Sequence, residues 1–428
     1  MSLTVRAAAE TPVSPGREGS PVSAFAALGL SPGMSRAAAE QGWSEPTPIQ
    51  AAAIPPALAG RDLLATAATG SGKTGAYALA ALQRIDGMAR PSPRRPRVLV
   101  LLPTRELVAQ VAKAMRPLER FLNVPAKLTV LYGGVSINPQ LMALRGGVDV
   151  VVATPGRLLD VADKNALDLS GLHTLVLDEA DRLLDAGFAD ELARVLALLP
   201  DRRLNLLFSA TFPPPVQALA QRLLHDPVRV DVGHQAASVA AIAERAIVVD
   251  AARRTPLLAR LIGQEGWERV LVFVATRYAC DHVASKLSRA GLAAAAFQGD
   301  ASQGARTQVL ADFKAGKLQV LVATDLGARG IDIARLPVVV NYDLPRSTVD
   351  YVHRIGRTAR AGEAGLAVSF LSAATEAQFR LIEKRQARRV PREHVPGFEP
   401  TEVAAPAPAA GGVKGRRPSK KDKLRAGG

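Results

Sequence analysis

The chain has 428 residues, too many for one ordinary hydrophobic core, so two domains flanked by tails are the expected organisation. A formal net charge of +15 points to a polyanionic partner or to a merely soluble basic protein, and 4% aromatic content argues against reading single strands mainly by stacking bases. Its one cysteine, Cys280, excludes an internal disulfide framework or a cysteine-built zinc site and fits a reducing cytoplasm. There is no signal-like apolar core near the start and no apolar run long enough for a bilayer.

In chain order, residues 1–22 are rich in Pro, Ser, Ala and Gly and are predicted to be disordered. RDLLATAATGSGKT, from Arg61, reads as a strand, a glycine-rich turn and a helix start. Gly70 and Gly72 let backbone N–H groups approach phosphate, Lys73 reaches the β- and γ-phosphates, and the Thr74 hydroxyl suits Mg²⁺. Ala67 departs from the general pattern, which has Gly there. The competing reading is a glycine-rich turn with no ligand.

Short β-branched runs then alternate with helical patterns: RVLVLLPT, VDVVVATP, HTLVLDEA, LNLLFSAT, RVLVFVAT, LQVLVATD and LPVVVNYD. Continuous apolar strands followed by helices predict an α/β fold with parallel sheets covered on both faces. The runs from Arg97, Val148 and His173 match those from Arg269, Leu318 and Leu336, in order and at a near-constant offset. The simplest account is one α/β domain present twice, joined near GHQAASVAA from Gly233. LVLDEAD, Leu175 to Asp181, ends a strand in three acids. They can sit on a helix dipole, or Asp178 can hold Mg²⁺ through water while Glu179 deprotonates an attacking water. His173, His225, His234, His282 and His394 form no metal set. The end of the chain, VKGRRPSKKDKLRAGG, has seven Lys/Arg against one Asp and reads as a non-specific anion tether.

D-E-A-D at Asp178 to Asp181 resembles the signature of DEAD-box ATP-dependent RNA helicases, and the similarity extends from about Phe25 to Arg385. GWSEPTPIQ, Gly42 to Gln50, is similar to the family's Q motif. By that resemblance Phe25 stacks on adenine and Gln50 bonds its edge. AATGSGKT (Ala67, Ala68, Thr69, Gly70, Ser71, Gly72, Lys73, Thr74) resembles the family's own phosphate loop, which begins with Ala. Pro103, Thr104 and Arg105, Gly134, and Thr154, Pro155, Gly156 and Arg157 resemble RNA-backbone motifs. So do Arg277, Arg306 and Thr324 in the second half. Asp181, Ser209, Thr211 and His353 resemble the residues that couple the domains. Gly330 and Asp332 resemble the ribose-contacting segment, and Arg357 and Arg360 the arginine fingers. Ala68, Gln298 and Ala359 depart from common family residues; Ala359 is expected to be helical and harmless.

The resemblance implies two tandem RecA-like P-loop domains. They would span 23–232, with the Q motif at 23–51, and 243–390, followed by a basic tail over 391–428. It implies RNA-stimulated ATP hydrolysis with Mg²⁺, and local, non-processive unwinding of RNA held by its sugar-phosphate backbone. Two alternatives share most motifs: an ATP-gated RNA clamp, and a DNA helicase of the wider superfamily. A cytoplasmic monomer acting in ribosome assembly or RNA degradation is the family-level expectation.

Overall fold

The computed structural model describes residues 24–67, 70–185, 188–232, 242–299, 301–328, 333, 336–358 and 365–401. The N-terminal tail, the connection at 233–241, the basic stretch after Thr401, and Ala68, Thr69, Gly330, Asp332, Ala359 and Arg360 lie outside the described residues.

Each apolar run forms a strand. The first sheet contains β1 (Leu63–Ala67), β2 (Val98–Leu101), β3 (Leu128–Leu131), β4 (Val150–Ala153), β5 (Thr174–Leu177), β6 (Leu204–Ser209) and β7 (Val228–Val232). The second contains β8 (Ile242–Val248), β9 (Val270–Val274), β10 (Ala294–Phe297), β11 (Val320–Thr324), β12 (Val338–Asn341), β13 (Gly365–Leu371) and β14 (Arg392–Glu393). All pairings are parallel.

The strand orders are β3-β4-β2-β5-β6-β1-β7 and β10-β11-β9-β12-β13-β8-β14. They are the same order, with every number raised by seven. The sequence repeats therefore mark equivalent strands, β2 with β9, β4 with β11 and β5 with β12.

Both faces of each sheet are covered, which is why the strands are apolar throughout rather than alternating. Val98 and Val100 of β2 enter one core with Tyr77 and Phe208, while Leu99 and Leu101 enter the opposite core with Leu175 and Leu177. In β9, Val270 and Val272 face one core and Leu271 and Phe273 the other. Successive side chains point to opposite faces, and each fully buried aliphatic contributes about 1.5–3 kcal/mol.

The second domain continues past residue 390. Strand β14 pairs with β8, and Arg392 forms ion pairs with Glu376 (3.0 Å) and Glu383 (2.9 Å). Phe398 lies beneath the guanidinium groups of Arg253 and Arg260, and the Thr401 hydroxyl donates to Asp250 at 2.7 Å. The basic tail expected over 391–428 therefore does not include residues 391–401, which the structure engages in the fold.

The C-terminal ends of both sheets meet along a seam. Arg105 of the first domain donates to the Gly299 carbonyl of the second at 2.9 Å, and Glu106 pairs with Arg306 at 2.6 Å. Ligands of open parallel sheets bind at these strand ends.

Candidate active site at the domain seam

β1 leads through Gly70–Gly72 into the helix Lys73–Asp86. Gly72 caps that helix at φ +102°, where an added Cβ would lie 2.6 Å from the Thr47 hydroxyl. Both the backbone region and the close approach require glycine. The neighbour is the helix Pro48–Leu58, which starts with Thr47 and Gln50 at capping-box positions. Gln50 Oε1 accepts from Thr47 N at 2.9 Å and its Nε2 donates to the Gly72 carbonyl at 3.3 Å. This glutamine is thus built into the loop's support, with both ends of its amide engaged.

Phe25 is also placed differently from its expected role. Its ring is 2% exposed within the first domain's core and presents no open face to a base. Burial of a large apolar ring outweighs leaving it at a site edge.

Lys73 is buried and its Nζ donates to the Ala67 carbonyl at 3.1 Å. β5 ends at the acids, and the sheet order brings β5, β6 and β1 side by side. The loop lysine, Asp178 and Ser209 therefore sit at adjacent strand ends. Asp178 accepts from the Tyr77 hydroxyl at 3.0 Å and from the Glu179 N–H at 2.9 Å. Its carboxyl pKa is raised, chiefly by burial, with nearby Lys73 opposing the shift. Burial likewise pushes the Tyr77 hydroxyl well above its ordinary range.

Glu179 has φ +52°, a left-handed conformation that non-glycine residues seldom adopt. Strain of this kind is commonly held at working sites. The turn aims its carboxylate back at Arg182, 3.0 Å away. Asp181 faces the other way. It accepts from Thr211 N (3.0 Å) and Thr211 Oγ1 (2.7 Å), while its own N–H donates to Ser209 Oγ at 3.2 Å.

The second domain enters through His353, whose Nε2 lies 3.9 Å from Asp181 and whose Nδ1 accepts from Arg182 Nε at 3.0 Å. A guanidinium only donates, so Nδ1 must be unprotonated and Nε2 carries the hydrogen on the Asp181 side. Asp181, Ser209, Thr211 and His353 are brought together here. Arg182 and Tyr77 are the residues that sequence reasoning missed. Tyr77 lies four positions beyond Lys73 on the same helical face, and Arg182 lies in the helix Ala180–Asp185 that follows Asp178 and Glu179.

Arg357 is buried and lines a cavity of about 20 Å³ with Arg182, His353, Asp325 and Arg354. Arg354 makes a two-pronged pair with Asp325 at 2.6 and 2.7 Å and stacks 4.9 Å over Phe273.

The remaining candidates divide. Thr104 caps the helix Arg105–Glu119, Pro103 is buried before it, and Arg105 packs where a Cβ on Gly134 (φ +76°) would clash. Thr154, Pro155 and Gly156 form the start of the helix Pro155–Ala162, and Thr324 Oγ1 accepts from Gly327 N at 3.1 Å. Arg277 is exposed at the start of the helix Arg277–Arg289.

Two arginines take other roles from those expected. Arg157 is buried and donates to the Val135 carbonyl at 2.8 Å. Arg306 is 3% exposed, pairs with Glu106 and stacks 4.2 Å over Phe297, so it ties the domains together. Each is buried and has donors bonded to intramolecular acceptors, Arg157 to Asp160 and the Val135 carbonyl and Arg306 to Glu106.

Residues 47–219 match the family model described as DEAD/DEAH box helicase, and residues 254–362 match that of the helicase conserved C-terminal domain. A point variant of S. cerevisiae Dbp5, solved bound to RNA and ADP BeF3, superposes with a TM-score of 0.76 at 30% identity, covering 87% of this chain and 95% of that one. The chain belongs to the DEAD-box helicases. Among curated relatives it is 41% identical over 377 residues to the ATP-dependent RNA helicase DeaD of Mycobacterium tuberculosis, covering 88% of this chain and 65% of that protein. It is 41% identical over 375 residues to DeaD of Escherichia coli, covering 88% and 59%. The chain thus spans about three fifths to two thirds of the length of these relatives. As a family member it carries tandem RecA-like domains, each fronting the seam with a different set of strand-end residues. No helix among the described residues is long and apolar enough to cross a membrane.

Proposed function

We propose that this chain is an ATP-dependent RNA helicase in which RNA binding across the seam controls ATP hydrolysis. The observation that carries the reading is the continuous path Glu179–Arg182–His353–Asp181. It joins the acid that would activate water to a side chain of the other domain, within 3.0 to 3.9 Å at each step.

The donor set suits Mg²⁺ arriving with the nucleotide. Asp178 and Thr74 offer hard oxygen atoms, and no group of three His, Cys, Asp or Glu able to hold a metal alone occurs among the described residues. Such a site keeps waters and shares substrate phosphates, and the ion would neutralise phosphate charge there.

ATP lies with its phosphates on the N–H groups of Gly70–Gly72 and on Lys73. Glu179 takes a proton from water as the water oxygen bonds to the γ-phosphorus, and the bond from that phosphorus to the bridging oxygen breaks, releasing ADP. Arg357, with Arg360, balances the charge that develops on the transferred group. Because these arginines come from the second domain, turnover requires the seam to be assembled. RNA held on both domains favours that assembly. Thr104, Arg105, Gly134, Thr154, Arg277 and Thr324 supply the backbone-directed RNA surface, which gives affinity without base readout.

The test compares ATPase turnover, with and without RNA, for wild type and Glu179→Gln. Turnover is expected to rise with RNA and to fall about 10²–10⁴-fold in the variant, while ATP-dependent RNA retention persists. Equal turnover removes the assignment of Glu179. Strand displacement on a short RNA duplex separates unwinding from clamping, and stimulation by DNA alone would redirect the substrate.

A further inference from the structure

The helix Arg277–Arg289 leaves the seam from the end of β9. Its inner face is buried through Cys280, Val283, Ala284 and Leu287. Its outer face carries Tyr278, His282, Lys286 and Arg289, all exposed and spaced at helical intervals along one stripe.

Tyr278 is 76% exposed, the most exposed large apolar side chain among the described residues. Its ring is held nonetheless. It stacks on His282 with centroids 5.5 Å apart and planes inclined by 17°. The chain has few aromatics, and Tyr77, Tyr351 and Trp267 are buried, whereas Tyr278 is turned outward.

The ring also stands beside the seam. The Arg277 carbonyl accepts from Gln298 Nε2 at 3.3 Å, and the next residue, Gly299, receives Arg105 from the first domain. A strand lying across the seam would pass this ring on leaving it. Beyond the ring, Lys286 and Arg289 continue the stripe with positive charge.

We propose that Tyr278, backed by His282, is a stacking platform for one unpaired base of single-stranded RNA where the strand leaves the seam, with Lys286 and Arg289 following its phosphates. The proposal rests on the RNA reading above and adds one base-facing contact to a surface that otherwise addresses the backbone. Stacking is sequence-tolerant, so the platform holds one base without reading a sequence.

The full chain is tested with short single-stranded RNA, Mg²⁺ and a non-hydrolysable ATP analogue. Tyr278→Ala is expected to weaken binding about 5- to 20-fold and Tyr278→Phe by no more than about twofold. A 2-aminopurine moved along the strand should be quenched at one position in wild type and not in Tyr278→Ala. An abasic nucleotide at that position should weaken wild type to the level of the variant and leave the variant unchanged. Joint replacement of Lys286 and Arg289 by Ala should lower the salt-dependence slope by about 1.4, two phosphate contacts at ~0.7 each. Equal affinity of Tyr278→Ala and wild type, with matching thermal melting, overturns the platform and leaves the exposed ring to a protein partner. A loss that is the same with and without the abasic site also overturns it. Wild type that binds no RNA in any nucleotide state brings down the RNA reading itself, a result distinct from RNA binding to which Tyr278 is silent.

Discussion

The two domains share one strand order but finish their first strand differently. After β1 the chain turns on Gly70 and Gly72 and starts a helix with Lys73. After β8 it runs through Val249 and Asp250 into Ala251–Arg253 with no glycine, and Asp250 is taken up by Thr401. One domain therefore carries a glycine turn and a buried lysine with buried carboxylates beside them. The other brings arginines and a histidine to the same strand-end surface. Duplication supplies the scaffold, and the loops decide which half of a composite site each copy provides.

The sharpest way to break this division is at the second domain's cation. Arg357→Ala is expected to lower RNA-stimulated ATP turnover about 10³–10⁵-fold, as for a finger supplied across an interface. Nucleotide binding, measured by fluorescent-analogue titration, should hold within a few fold because the phosphate loop lies in the other domain. A large loss of nucleotide affinity would show that the halves are not separable in this way.

Arg182 tests the connection between them. Arg182→Ala removes both the Glu179 pair and the His353 hydrogen bond. We expect RNA stimulation to fall about tenfold, the loss of a charged hydrogen bond of ~1.5 kcal/mol, with basal turnover less affected. Equal loss in both assays would make Arg182 a local support for Glu179 instead.

Two smaller predictions concern stability, where the domains treat carboxylates removed from solvent in opposite ways. In the second domain, hydrogen bonds from Arg392 hold the Glu383 and Glu376 carboxyls below their ordinary range. Their depressed pKa stabilises the fold above the unfolded carboxylate range, and the contribution is lost as pH falls through the folded value. Arg392→Ala should cost about 2 kcal/mol near neutral pH in chemical denaturation, and less in acid.

In the first domain, burial pushes Glu119 up to about 7 despite Arg116 nearby, and its Oε1 meets no hydrogen-bond donor among the described residues. A raised carboxyl favours the folded state only while protonated. Stability therefore falls as pH rises from about 4.5 to about 7 and levels off above. Glu119→Gln should raise Tm by about 2 °C at pH 8 and leave it unchanged at pH 4. A gain of the same size at both pH values would reject the titration of Glu119 as its cause.

Much of this was legible in the chain itself. Apolar runs from Arg97, Val148 and His173, repeated from Arg269, Leu318 and Leu336, specify strands, because a sheet covered on both faces has no polar positions to alternate. The glycine spacing before Lys73 and the acids after Leu177 mark strand ends by local chemistry alone. Pairing across long separations was not legible. Arg182 reads as an ordinary helical arginine until His353, 171 residues away, is brought beside it. Arg306 and Glu106, 200 residues apart, read as separate surface motifs but form one buried tie. Phe25 is visible as an aromatic at a suggestive spacing, whereas its burial depends on how several helices close over it. The sequence by itself thus determined the strands, their repetition and the glycine turn before Lys73, which are set by period and local backbone geometry. Only the tertiary structure decided which charges meet, because a charged side chain's role depends on the partners and burial that distant segments provide.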